Sequence, residues 1–323
     1  IKNRSTLLTT FSFADTEISL SNNRTIIIAA VAVALIAGAL LMYPRIQPAE
    51  DDSGIKITTS FYPLAYFAEE IGGENVQVST LIPYNSEVHS WQPSISDIAE
   101  TEESDLIIYL GAGLDHWVED DILDTINTDG KVILESSSGI ELLLEEGHTE
   151  DDGHDHDDGD PHLWVSPYMA YLIAENIYMA IKEADPDNTD YYTANWEQLE
   201  VTLTSLDQEY QTELASAAGK TFFTTHSAYG YIADRYNLEQ HGVIGLSADE
   251  QPSTAQITEI VDAMVTENSY VIYVDPVYST EYAETLHTEL TSRTGEPVEI
   301  MELYLMLGPL DDLDYLGQLE TNL

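Results

Sequence analysis

Three histidines stand in segments of distinctive composition: His89 within Leu81-Ile-Pro-Tyr-Asn-Ser-Glu-Val-His-Ser-Trp-Gln-Pro, His162 within Asp160-Pro-His-Leu-Trp, and His226 within Thr225-His-Ser-Ala-Tyr-Gly-Tyr. Neutral imidazoles drawn from distant points of one chain are the usual means of holding a borderline divalent metal such as zinc. Coordination is therefore the chemistry these residues could do. The chain has no cysteine, which removes thiolate metal sites, disulfides and cysteine nucleophiles. It has neither a His-Glu-x-x-His helix nor a Gly-x-Ser-x-Gly elbow, so no motif places a general base or a serine nucleophile. Three imidazoles and a water also describe a hydrolytic zinc site, and an extracellular zinc hydrolase is the rival reading. His116, His241 and His287 lack comparable surroundings and read as surface or packing residues.

The elements that must position these histidines alternate in type. Apolar runs predict strands at 55–60, 76–81, 105–110 and 131–134, with helices at 62–71, 94–102 and 167–184 between and after them. Such alternation predicts a mainly parallel sheet flanked by helices. Residues 187–217 contain no helix breaker, and Tyr191, Trp196, Leu199, Leu203, Leu206 and Tyr210 recur at helical spacing. One long structural helix is expected there, with its aromatic positions in the core. A second series follows, with strands at 221–225, 240–245, 270–274 and 298–301 and helices at 229–236, 254–267 and 280–293. The expected fold class is α/β: two lobes, 54–186 and 218–323, joined by one long backbone helix at 187–217. Each of the three histidines falls at or near the end of a predicted strand, where open α/β sheets bind ligands.

Acidic residues outnumber basic ones 59 to 10, for a formal charge of −49. A field of that sign repels nucleic acid and attracts cations, so nucleic acid is excluded as a partner. The same dense carboxylate surface would suit a salt-tolerant protein whatever its function. Residues 25–43 run without a charge for about the length of a membrane-crossing helix, and Lys2, Arg4 and Arg24 precede them. The expectation is a cytoplasmic tail at 1–24, a retained single-pass anchor at 25–43 and a linker at 44–53. The folded part would then lie outside the membrane, on the extracellular or periplasmic side. Tyr43-Pro44-Arg45 offers no small-residue site for cleavage of a signal peptide.

From about Lys56 onward the chain resembles the solute-binding proteins of metal-ion ABC transporters, the zinc and manganese family. The resemblance rests on Leu81-Ile-Pro with His89, Ser96-Asp-Ile-Ala, Asp105-Leu-Ile-Ile-Tyr-Leu-Gly-Ala-Gly-Leu, Asp160-Pro-His-Leu-Trp, Asp185-Pro-Asp-Asn with Tyr192 and Asn195, His226-Ser-Ala-Tyr-Gly-Tyr-Ile-Ala and Gln251-Pro-Ser, in that order.

The resemblance implies a monomeric binding protein without enzymatic activity that hands its metal to a permease coupled to a cytoplasmic ATPase. It implies His89 and His162 as ligands from the first lobe and His226 as a ligand from the second. A histidine at the position of His226 goes with zinc in this family and a glutamate with manganese, so Zn2+ is expected rather than Mn2+. The family supplies a late acidic fourth ligand, for which Asp311 is the candidate, with Glu302 or water as alternatives. Zinc-type members carry a histidine- and acid-rich loop where this chain has 147–160, which makes His148, His154 and His156 candidates for auxiliary metal capture. Binding needs neutral imidazoles, so affinity is expected to fall as pH drops through about 6.5.

Overall fold

A computed structural model describes residues 54–144, 159–246 and 252–323. The apolar segment 25–43, the tract holding His148, His154 and His156, and Gln251 lie outside those residues. No described helix is long and apolar enough to cross a membrane.

The first lobe is a four-stranded, wholly parallel sheet of β1 (Ile55–Thr59), β2 (Val76–Thr80), β3 (Leu106–Tyr109) and β4 (Val132–Glu135), in the order β2-β1-β3-β4. β3 is the uninterrupted apolar run Leu-Ile-Ile-Tyr and is buried throughout, as a central parallel strand covered on both faces must be. Helix α1 (Tyr62–Gly72) starts with Pro63 in its first turn and ends at Gly73. Gly73 has φ 52°, and a Cβ there would meet the Tyr191 hydroxyl at 2.4 Å. Both the backbone and the close approach therefore require glycine. Helix α2 (Ile95–Thr101) is started by a capping box between Ser94 and Asp97.

Helix α3 (Pro167–Ala184) leads through Asp185 into α4 (Thr189–Glu213), a helix of 25 residues and about 38 Å. Single 3-10 turns, Pro186–Asn188 and Leu214–Ala217, account for the remainder of the expected span. Tyr192, Trp196, Leu199, Leu203, Leu206 and Tyr210 form its buried stripe. Tyr191 is off that stripe and 40% exposed, so it is not core; its hydroxyl covers the end of α1, near the Glu74 amide. The Asp185 motif is structural: its carboxylate accepts from Asn188 Nδ2 and the Tyr192 hydroxyl, both at 2.7 Å, while Asn195 Nδ2 donates to the Ile71 carbonyl.

The second lobe repeats the first topology. Strands β5 (Thr221–His226), β6 (Glu239–Ile244), β7 (Val271–Val274) and β8 (Glu299–Glu302) form a parallel sheet in the order β6-β5-β7-β8. Its helices are α5 (Gly230–Arg235), α6 (Thr254–Glu267) and α7 (Glu281–Thr294). A small core of Phe223, Val261, Met264, Ile272, Leu286 and Leu290 holds this lobe. The larger core runs from the first lobe through α4 into Tyr229, Tyr231 and the residues after β8.

Those last residues make a second connection between the lobes. After β8, Leu303 N still bonds the Val274 carbonyl. Two residues on, the Leu305 carbonyl accepts from Trp164 Nε1 at 2.8 Å, and the Leu307 carbonyl accepts from Asn85 N at 2.8 Å. The terminal helix α8 (Tyr315–Thr321) buries Tyr315 against Tyr66 and Phe67 of α1. The carboxyl end, grouped by its sequence with the second lobe, thus closes onto the first.

Candidate metal centre

His89 lies in the loop after β2, His162 just before the 3-10 turn Leu163–Val165, and His226 is the last residue of β5. In both sheets the strand order reverses direction beside the central strand, so β5 delivers His226 to the carboxyl edge where such a sheet leaves a crevice. The structure brings the three histidines together. One ring nitrogen of each lies within 4.8 Å of those of the other two, and the ring centroids are 4.9, 5.1 and 5.6 Å apart. His162 is 1% exposed and His226 5%, while His89 is half-buried.

Their hydrogen bonds fix which nitrogen faces the centre. His162 Nδ1 lies 2.8 Å from Asp160 Oδ1, and a carboxylate oxygen only accepts, so Nδ1 carries the proton and Nε2 keeps its lone pair. His226 Nε2 donates to the Leu246 carbonyl at 2.8 Å. That leaves His226 Nδ1 as the lone-pair atom, buried and without a hydrogen-bond partner. The Nε2 atoms of His89 and His162 are 3.2 Å apart, close to the ~3.4 Å edge of a tetrahedron with zinc–nitrogen bonds of about 2.1 Å. The donor set therefore fits zinc.

Burial holds His89 and His226 neutral, as metal ligation requires. Desolvation, reinforced by the neighbouring rings, pushes His89 down to about 2 and His226 down to about 3. The sequence expectation of proton competition near 6.5 does not allow for this burial.

Asp311 is not in the cluster. It is an exposed residue with φ 53°, and its Oδ2 accepts from the Tyr304 hydroxyl at 3.2 Å. Glu302 is likewise exposed. His116 and His241 are exposed and His287 half-buried, all outside the cluster, and His241 packs against Phe223. Leu144 and Gly159, which flank the undescribed histidine-rich stretch, pair in an antiparallel bridge, with Gly159 three residues before His162.

Several supporting residues escaped sequence reasoning. Asp160 orients His162, and the Asp-x-His spacing was the available signal. Trp164 packs against His162 with ring centroids 5.2 Å apart, and Tyr278 meets His226 at 5.8 Å. Asp115, fully buried, accepts from the Leu110 and Gly111 amides and closes the loop after β3. Nothing local in the sequence marks that acid as internal.

The family described as zinc-uptake complex component A, periplasmic, matches residues 57–323. The high-affinity zinc uptake system protein ZnuA of Bacillus subtilis strain 168 is 36% identical over 253 residues, covering 76% of this chain and 78% of the relative. The zinc-binding lipoprotein AdcA of Streptococcus pneumoniae strain R6 is 30% identical over 300 residues; the match takes in 88% of this chain but only 58% of that longer protein. The crystal structure of the AdcAII protein of Streptococcus pneumoniae superposes with a TM-score of 0.71 at 30% identity, over 84% of this chain and 97% of that one.

Proposed function

The chain belongs to the periplasmic zinc-uptake complex component A family, and from that premise we propose that it captures Zn2+ between its lobes and delivers it to the permease of a metal-ion ABC transporter powered by a cytoplasmic ATPase. The observation that carries this reading is the convergence of three imidazole ligand atoms within 4.8 Å, with the buried His226 Nδ1 left for a metal. No covalent step is needed: the site binds, and the lobes present and release. Three neutral nitrogens favour zinc over manganese, which prefers more oxygen.

In this reading His89, His162 and His226 are the protein's first three ligands and Asp311 supplies the fourth. Its loop is tied to the His89 loop, because Asn85 donates to the Leu307 and Pro309 carbonyls. Movement of that shared rim would have to bring the carboxylate to the ion. The tract with His148, His154 and His156 gathers zinc for the site, an assignment supported by the bridge of its flanking residues Leu144 and Gly159 next to Asp160. Residues 25–43 tether the chain to the membrane as a single span, a reading supported by their uncharged run and by Lys2, Arg4 and Arg24 before it. The chain acts as a monomer.

The test is competitive titration of zinc against manganese on the purified chain, with His226→Ala beside it. One tight zinc site, weakened by orders of magnitude in the variant, is the expected result. Preference for manganese, or indifference to His226, would overturn the ligand assignment.

A further inference from the structure

We propose that Asp275 is a positioning residue for the metal centre, holding the lobe of His226 in register with His162 through the peptide of Leu305. This rests on the zinc-binding reading of the three-histidine site. The Leu305 peptide is gripped from both sides. Its N–H donates to Asp275 Oδ2 at 2.5 Å, and its carbonyl accepts from Trp164 Nε1 at 2.8 Å. Trp164 is two residues beyond His162 and packs against its ring, tilted by 47°.

Asp275, immediately after β7, is tied to the other ligand. Its Oδ1 accepts from Val277 N at 2.7 Å, its carbonyl accepts from Tyr278 N at 3.1 Å, and the Tyr278 ring lies against His226. An unbroken set of contacts therefore runs from His162 through Trp164, Leu305, Asp275 and Tyr278 to His226. It crosses between the lobes without using α4.

The surroundings show that this arrangement is held at a cost. Asp275 is 5% exposed, and burial pushes its carboxyl up to about 6 against the two amides that favour the charge. Met306, next to the gripped peptide, is fully buried with φ 52°, a backbone region that side chains other than glycine rarely adopt. Asn322 fixes the preceding residue by bonding both Tyr304 N and the Tyr304 carbonyl. A link only needed for folding could use an uncharged partner; a short carboxylate bridge between two backbone segments fixes distance.

The experiment compares zinc dissociation rates, measured with a chelating dye, with thermal midpoints. In Asp275→Asn one carboxylate oxygen becomes an amide donor facing a backbone N–H, so one grip is lost with little change in shape. Zinc release should quicken about tenfold or more. Leu290→Ala, in the small second-lobe core and remote from this path, should lower the midpoint but leave release unchanged. Trp164→Phe removes the opposite grip and should act similarly to Asp275→Asn, with the double variant no faster than the worse single. Release from Asp275→Asn at the wild-type rate, or full additivity with Trp164→Phe, would overturn the proposal. If Asp275→Asn does not fold, Trp164→Phe alone decides, because release from it at the wild-type rate overturns the proposal. A wild-type chain that binds no zinc at the three histidines would sink the zinc reading and this inference together, whereas tight wild-type binding with unchanged variants sinks this inference alone.

Discussion

Asp160 Oδ1 makes two hydrogen bonds to the same residue: it takes the His162 backbone N–H at 2.9 Å and the Nδ1 proton of the His162 ring at 2.8 Å. One oxygen thus fixes both where the imidazole starts and which way it points. Asp160 is itself buried and held by its backbone, since Tyr231 donates to its carbonyl at 2.6 Å.

From this follows the effect of Asp160→Asn. The amide oxygen can still accept both bonds but carries no charge, and the amide can turn its NH2 toward the ring, so the orienting hold on His162 weakens. Zinc affinity should fall about 10- to 100-fold, as for other carboxylates behind ligating histidines. Isothermal titration of the variant decides; unchanged affinity would mean that packing against Trp164 alone orients His162.

What the sequence made legible, and what it did not, follows from the range of the interactions concerned. The inner strands β3 and β7 are short apolar runs, β2 alternates in burial, and α4 carries an uninterrupted heptad-like stripe from Tyr192 to Tyr210, so local periodicity revealed them. The three histidines were legible because their flanking residues are unusual. Asp275 and the Leu305 backbone were not, because each is defined by a partner far along the chain: Leu305 bonds Trp164 across 141 positions. The return of 303–323 to the first lobe was hidden for the same reason. Asp115 bonds the nearby Leu110 and Gly111 amides, but its complete burial is set by the packed fold. Asp311 shows the converse limit: sequence order names a ligand candidate but cannot place its carboxylate on the ion.

Acid should disturb the centre less than three free imidazoles would allow. A ligand with an ordinary value near 6.5 loses about thirtyfold in apparent affinity by pH 5, so two such ligands would cost roughly a thousandfold. Burial lowers His89 to about 2 and His226 to about 3. Protonation of these two therefore competes with zinc only as pH approaches 3, and the thousandfold they would have cost should be absent at pH 5. Zinc Kd measured at pH 7.5 and pH 5 checks this. A loss of a thousandfold or more would show that the site opens and rehydrates its rings before binding.

The ligand role proposed for Asp311 is separable from that of the imidazoles. As an exposed carboxylate that must move to reach the ion, it should contribute less than a preset buried ligand. Asp311→Ala should weaken zinc about tenfold, within the range for a bond to a charged group, while His226→Ala costs much more. Equal zinc affinities of Asp311→Ala and wild type would assign the fourth position to water.

Removing zinc should lower the thermal stability of the whole fold rather than of one lobe. In the proposed site the ion would join His89 and His162 of the first lobe to His226 of the second and satisfy the buried Nδ1 that has no hydrogen-bond partner. Binding to the folded state alone stabilises by about 4 kcal/mol when zinc is a thousandfold above its Kd. For a domain of this size that is on the order of 10 °C in Tm. The larger core contains residues from the first lobe, α4, Tyr229, Tyr231 and α8, so melting the second lobe must expose part of the first. Calorimetry with and without chelator should therefore show one transition that shifts as a unit, and His226→Ala should abolish the shift. A separate early transition unaffected by zinc would mean that the small core around Phe223 and Leu290 unfolds alone, and that the second connection through Leu305 does not couple the lobes.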